Sequence, residues 1–179
     1  GRDVYIQGNC YISNDTVIGD FVEIHAGTSI GTDAFYFHKK SKKYTKWHSI
    51  GRVVIEDKVV IGANCTINKG VSGDTVIGEG SKLDSQVHIG HGVEIGKHCL
   101  IAGQVGIGGK TIIEDHVVLS GVTTIGEGNH LFPGVVIGAH PQDTGYRGSA
   151  TRVEIGDGNT FREHCTVNRG SEKEQGVTR

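Results

Sequence analysis

Residues 83–113 read LDSQVHIGHGVEIGKHCLIAGQVGIGGKTII, and a large aliphatic residue recurs at every sixth position of this stretch. We call that residue the anchor of a six-residue unit. Stepping by six in both directions, with interruptions at 33–52, 69–74 and 141–152, gives 22 anchored units. The anchors are Ile6, Ile12, Ile18, Ile24, Ile30, Ile55, Ile61, Ile67, Ile77, Leu83, Ile89, Ile95, Ile101, Ile107, Ile113, Leu119, Ile125, Leu131, Ile137, Ile155, Phe161 and Val167.

Each unit has the pattern of a short strand followed by a corner. A small or β-branched residue stands two positions before most anchors and shares their face in an extended strand. Glycine often follows the anchor, where we expect it to permit a sharp turn with unusual backbone angles. Six residues are too few for a strand and a helix, so three units close a triangular coil whose strands pair in parallel with the next coil. The repeat predicts an all-β hexapeptide parallel β-helix of about eight coils with loop insertions.

Composition narrows the possible partners. The chain has 179 residues, 29 of them glycine, and a formal net charge of −2. Nucleic acids and anionic membranes select strongly basic surfaces, so neither is expected as the main partner. No apolar run is long enough for a transmembrane segment, and no signal peptide opens the chain. The four cysteines all stand two positions before an anchor, which predicts small apolar fillers inside the coil and a reducing, cytoplasmic location. Because the chain lacks even an initiator methionine, we expect it to be processed or to be an excerpt of a longer one.

The longest interruption is an inserted arm at 34–49. It holds five aromatic residues among five lysines. Such interleaving could bind single-stranded nucleic acid, but the acidic balance of the chain favours an arm that packs its aromatics on a neighbouring subunit. A second inserted loop spans 141–151.

Histidine spacing indicates one candidate site. His91 stands two positions after an anchor, and Gly109 follows 18 residues later, so the glycine lies one coil directly above the histidine. A glycine stacked on an outward histidine leaves a notch faced by a backbone N–H, the arrangement of a general base beside an oxyanion donor. The alternative is that both are ordinary corner residues.

Residues 1–119 resemble the UDP-3-O-(3-hydroxyacyl)glucosamine N-acyltransferase family of lipid A biosynthesis. The resemblance is carried by HAGTSIGTDAFYF (25–37), IGRVVIEDKVVIGANCTINKG (50–70) and LDSQVHIGHGVEIGKHCLIAGQVGIGG (83–109). It implies that His91 is the catalytic base, that Asp84 is its partnering carboxylate and that the Gly109 N–H is the oxyanion donor. It also implies a left-handed coil, although the usual crossover rule for parallel strands favours the opposite hand.

Residues 120–179 resemble a related family, the UDP-N-acetylglucosamine O-acyltransferases. The resemblance lies in NHLFPGVVIGAHPQDTGYRGSATRVEIGDGNTFREHCTVNRG (129–170). It implies that Asp143, with Gln142 beside it, contacts the substrate sugar. The lysine usual two positions later is Gly145 here, which puts that contact in doubt. The chain therefore resembles a join of two related solenoids near 119–123.

The sequence is compatible with three functions. The first is transfer of a 3-hydroxyacyl group from acyl carrier protein to a UDP-glucosamine derivative by a homotrimer, with the carrier thioester as co-substrate and no cofactor. The second is a catalytically silent β-helical scaffold, either a fragment or an engineered hybrid. The third is a hexapeptide zinc carbonic anhydrase, which the histidine spacing of HIGHGVEIGKH does not fit. We predict no metal site.

Overall fold

The chain winds into a three-sided coil built almost wholly of short parallel strands. The computed structural model describes residues 1–179, apart from the side chain of Glu174. The first strands are β1 (Tyr5–Ile6), β2 (Tyr11–Ile12), β3 (Val17–Ile18), β4 (Glu23–Ile24), β5 (Ser29–Thr32), β6 (Phe37–Lys40), β7 (Lys43–Lys46), β8 (Val53–Ile55), β9 (Val60–Ile61), β10 (Thr66–Asn68), β11 (Thr75–Ile77), β12 (Lys82–Leu83) and β13 (His88–Ile89). The others are β14 (Glu94–Ile95), β15 (Leu100–Ile101), β16 (Gly106–Ile107), β17 (Ile112–Ile113), β18 (Val118–Leu119), β19 (Val122–Ile125), β20 (His130–Leu131), β21 (Val136–Ala139), β22 (Arg152–Ile155), β23 (Thr160–Phe161), β24 (Thr166–Asn168) and β25 (Val177–Thr178), with a 3-10 turn at Glu172–Glu174 before β25.

Three sheets form the faces of the coil. The first face is β1-β4-β9-β12-β15-β18-β21-β24, the second is β2-β5-β10-β13-β16-β19-β22-β25, and the third is β3-β8-β11-β14-β17-β20-β23. Every pair within these faces is parallel, and anchors meet in register, as Ile89 does with Ile107 and Ile107 with Ile125. The parallel β-helix of eight coils predicted from the repeat is confirmed. The faces run through residues 119–123 without a break.

Anchor side chains fill the inside of the coil. Sixteen of the 22 anchors are buried. Five are half-buried and Ile6 is 42% exposed, and these six lie in the first coil or the last two, where neighbouring coils cover them less completely. The cysteines follow the same rule: Cys65 and Cys99 are buried, Cys10 is half-buried and Cys165 is exposed. The prediction that all four lie inside is therefore wrong for Cys165, in the last coil.

The glycines after the anchors serve close packing more than turning. The left-handed backbone falls two positions later, on residues such as Gln86 (φ 62°) and Lys110 (φ 58°). At Gly78, which has no positive φ, a Cβ atom would overlap the carbonyl oxygen of Gly96 in the next coil. The expected turn conformation at these glycines is thus mostly wrong; they allow successive corners to approach one another.

The arm leaves the coil at the corner between the second and third faces, which we call the 2–3 corner. It is an antiparallel hairpin of β6 and β7, in which Phe37 pairs with Lys46 and Lys40 with Lys43. Its aromatics stay largely exposed, with Phe35 at 91% and Tyr44 at 71%. The loop at 141–151 leaves the corner between the first and second faces, the 1–2 corner. Among the described residues, no helix has the length and apolar character needed to cross a membrane.

Candidate active site at the 2–3 corner

His91 follows β13 at the 2–3 corner and is covered by the arm. Its side chain lies under the Tyr36 ring, edge to face, with ring centroids 5.5 Å apart. Only 7% of the residue is exposed. The sequence predicted an outward histidine in an open notch; the notch exists, but the arm reaches along the corner from two coils away and encloses the imidazole.

Burial sets the protonation state of this histidine. Desolvation lowers the pKa of His91, a nearby Glu127 charge raises it, and Lys110 lowers it again. The desolvation is the largest of the three because a cationic imidazolium loses its hydration under the arm. The net direction is down, so the ring is neutral at neutral pH and able to accept a proton.

Gly109 lies against the reactive edge of the imidazole. A Cβ atom at this position would stand 2.8 Å from His91 Nε2 and 2.9 Å from Cε1. The Lys110 N–H donates to the carbonyl oxygen of His91 at 2.9 Å and fixes the two corners against each other. Only glycine fits beside the ring in this geometry, as the 18-residue spacing predicted.

The Gly109 N–H is free to donate. One coil further along the same corner, the equivalent Glu127 N–H donates to Asp157 Oδ1 at 2.8 Å. The residue that follows Gly109 in this column is Glu127, and its side chain does not accept the Gly109 N–H. No other acceptor among the described residues takes that N–H. A free N–H beside a neutral imidazole is able to stabilise an oxyanion formed next to the base.

Two hollows flank His91. A groove of about 350 Å³ runs along the second face, and its lining includes His88, Gly109, Thr124 and Glu127. A second hollow of about 240 Å³ lies under the arm, between Tyr36, His38, Trp47, Val71, Ser72 and Lys110. His91 lines both hollows, so two molecules, one bound in each hollow, would meet at its ring.

Asp84 does not join His91 within one chain. It follows β12 at the 1–2 corner, whereas His91 follows β13 at the next corner of the same coil. Its carboxylate accepts the N–H groups of Ser85 at 2.7 Å and Gly103 at 3.2 Å. Among the described side chains His91 has no hydrogen-bond partner, so the expected Asp84–His91 pair does not form within one chain, where the corner turns the carboxylate away.

Gln142 and Asp143 lie together with Lys173 in a separate hollow at the 1–2 corner, three coils beyond Asp84. Asp143 Oδ1 accepts the Gly145 N–H at 2.8 Å, and Lys173 Nζ lies 3.2 Å from Oδ2. The Gly145 N–H, followed by Lys173, holds the pKa of Asp143 below its usual value. Lys173 therefore places a cation beside Asp143, a contact that the local spacing could not reveal.

The sequence did not identify two residues that line these hollows, Lys173 and Glu127. Lys173 is distant in sequence from Asp143 and carries no local signal. Glu127 could have been found, because continuing the 18-residue step from His91 through Gly109 reaches it. The candidate zinc ligands His88, His91 and His98 lie on the second face, the 2–3 corner and the third-to-first corner, and no three described His, Cys, Asp or Glu side chains converge as metal ligands.

Comparison with known proteins agrees with the repeat. Residues 74–109 match the bacterial transferase hexapeptide family (six repeats). The matched residues include His91 and Gly109.

Curated relatives carry acyltransferase names. The UDP-3-O-acylglucosamine N-acyltransferase of Methylobacterium nodulans is 52% identical over 58% of this chain and 29% of its own length. That of Agrobacterium fabrum is 50% identical over 52% of this chain and 26% of its own. The chain thus spans less than a third of the length of the curated relatives it matches.

The solved structures that are similar to this chain include a UDP-N-acetylglucosamine O-acyltransferase from Moraxella catarrhalis. The match has a TM-score of 0.47 and 18% identity, and it covers 76% of this chain and 67% of that one. Another is the Arabidopsis UDP-N-acetylglucosamine acyltransferase, with a TM-score of 0.44 and 14% identity over 96% of this chain and 74% of that one.

Proposed function

We propose that this chain is the acyl-transfer part of an acyltransferase of the lipid A type, moving a 3-hydroxyacyl group from acyl carrier protein to the amine of a UDP-glucosamine derivative. The observation that carries the proposal is the pairing of a buried, neutral His91 with the free N–H of Gly109 at one corner. The names of the relatives supply the substrate class. No cofactor is needed, since the carrier thioester is itself activated.

The chemistry needs one base and one oxyanion donor. A neutral amine attacks the thioester carbonyl carbon, the C–N bond forms, and His91 Nε2 takes a proton from the nitrogen. The carbonyl oxygen becomes an oxyanion that accepts the Gly109 N–H. The C–S bond then breaks, and the sulfur leaves as a thiolate that takes the proton back from His91 to become a thiol.

A homotrimer would complete the site. Asp84, Gln142 and Asp143 lie along the 1–2 corner, and His91 and Gly109 lie along the 2–3 corner. A site that uses both sets needs two copies of the chain, with the 1–2 corner of one facing the 2–3 corner of the next. Exposed aromatics such as Phe35 and Tyr44 would pack in that cleft, and the four unpaired thiols suit a reducing cytoplasm.

The test is a thioester-consumption assay with 3-hydroxyacyl-carrier protein and a UDP-glucosamine acceptor, run on the wild-type chain and His91→Ala. Turnover that is lost in the variant supports the proposal. Equal turnover in both refutes His91 as the base. No turnover in either favours the silent scaffold, the function that the sequence left open.

A further inference from the structure

The groove beside His91 carries one formal charge, and it is negative. Its lining residues are Phe35, Asn68, His88, Gly90, His91, Gly106, Ile107, Gly108, Gly109, Thr124, Ile125 and Glu127. Glu127 is the charged member. Desolvation by burial lowers the pKa of His88 and that of His91, so both imidazoles are neutral at neutral pH. The groove therefore favours a cation over an anion.

The corner column explains why Glu127 faces the histidine. His91, Gly109 and Glu127 are spaced by 18 residues and stack at the 2–3 corner of three successive coils. The middle member, Gly109, has no side chain, so the space between Glu127 and the imidazole is open. Glu127 and His91 line the groove from its two ends. The Glu127 backbone is fixed by its N–H donating to Asp157 Oδ1 at 2.8 Å, and no described side chain pairs with its carboxylate.

On the other side of the imidazole, in the hollow under the arm, the charged side chain is positive instead of negative. Lys110 lines the hollow under the arm, together with Tyr36 and His38, and the hairpin there carries further lysines. These groups, with His88 and Glu127 in the groove, are the titratable residues that face His91. A cationic group of a bound molecule is thus directed to the groove, and an anionic group to the hollow under the arm.

We propose that Glu127 is a specificity-determining residue that holds the protonated amino group of the acceptor in the groove, and so selects an amine over a hydroxyl. The inference rests on the proposed function and assigns one side of its site. An amine with a pKa near 8 arrives mainly as an ammonium ion at pH 7 and donates to the carboxylate. On losing one proton to solvent it becomes the nucleophile that His91 then deprotonates. A hydroxyl or amide at the same position brings no charge and gains nothing from Glu127.

The test measures binding, so it does not depend on turnover. Dissociation constants of UDP-glucosamine and of UDP-glucose, which carries a hydroxyl in place of the amine, are measured by calorimetry at pH 7 on the wild-type chain, on Glu127→Gln and on Glu163→Gln. Glu163 is an exposed control that pairs with Arg162. We expect the wild type and the control to favour the amine by about tenfold, as for a charge-assisted hydrogen bond. Glu127→Gln should bring the ratio to about one.

A second readout is the pKa of His91 from the NMR titration of its ring protons. Removing the Glu127 charge should lower this pKa further, whereas Glu163→Gln should leave it unchanged. No amine preference in the wild type, or a preference that survives in Glu127→Gln, overturns the inference. If the preference is lost in Glu127→Gln while the wild type shows no turnover, the amine site stands and the acyl-transfer proposal fails.

Discussion

At the scale of single residues, the pH dependence of acyl transfer should report on His91. Burial lowers its pKa below the ordinary histidine value, so the ring keeps its ability to accept a proton at lower pH than an exposed histidine does. We expect the acid limb of kcat/KM to lie below about pH 6.5. His91→Ala should cost about 10²–10⁴-fold in rate. The matched control His98→Ala changes an exposed histidine on another corner, and its rate should stay near wild type.

Gly109→Ala tests the contact between the corner and the ring. The added Cβ atom would stand 2.8 Å from His91 Nε2, so the imidazole has to move. We expect a loss of turnover of at least tenfold, since the imidazole has to leave its position beside the Gly109 N–H. Gly156→Ala is the control, because nothing lies within 4 Å of its Cβ position. Full activity in Gly109→Ala would contradict the close contact between this corner and the His91 ring.

At the scale of elements, the arm should control the basicity of the histidine beneath it. Tyr36→Ala removes the ring that covers His91, so water reaches the imidazolium and the pKa of His91 should rise toward its ordinary value. NMR titration of the ring protons measures this directly. Tyr44→Ala removes an arm aromatic that is 71% exposed, and it should leave the pKa unchanged. An unchanged pKa in Tyr36→Ala would mean that the coil itself, not the arm, buries the histidine.

At the scale of the whole molecule, the two resembling halves should unfold as one unit. The faces continue across residues 119–123, with Ile107 in register with Ile125. Replacing Ile107 or Ile113 by alanine removes a buried anchor and should lower the free energy of unfolding by about 2–5 kcal/mol. Calorimetry should still give a single transition in each variant. Two separate transitions would indicate independent modules.

Assembly gives the sharpest test at this scale. If the site is shared between copies, Asp84→Ala and His91→Ala should each lose activity, and trimers refolded from a mixture should regain part of it. In such a mixture some clefts combine an intact Asp84 from one chain with an intact His91 from the next. Light scattering of the wild type should report a trimer; a monomer at micromolar concentration would count against the shared site.

The periodic part of the molecule followed from sequence alone. A six-residue repeat fixes which side chains face inward, because strand alternation and close packing leave one way to bury the anchor of every strand. The same arithmetic placed Gly109 above His91, since both lie in consecutive coils of constant length. Stacking by equal steps is a local property, and it needs no long-range information.

What interrupts the repeat was decided by tertiary structure. The reach of the arm over His91 depends on the direction in which β6 and β7 leave the coil, and no spacing in the sequence encodes that direction. Asp84 stands seven residues before His91 and is still turned away from it, because the two residues lie at neighbouring corners with strand β13 between them. Lys173 reaches Asp143 across 30 residues for the opposite reason: one full coil with its loop brings the two side chains to the same corner.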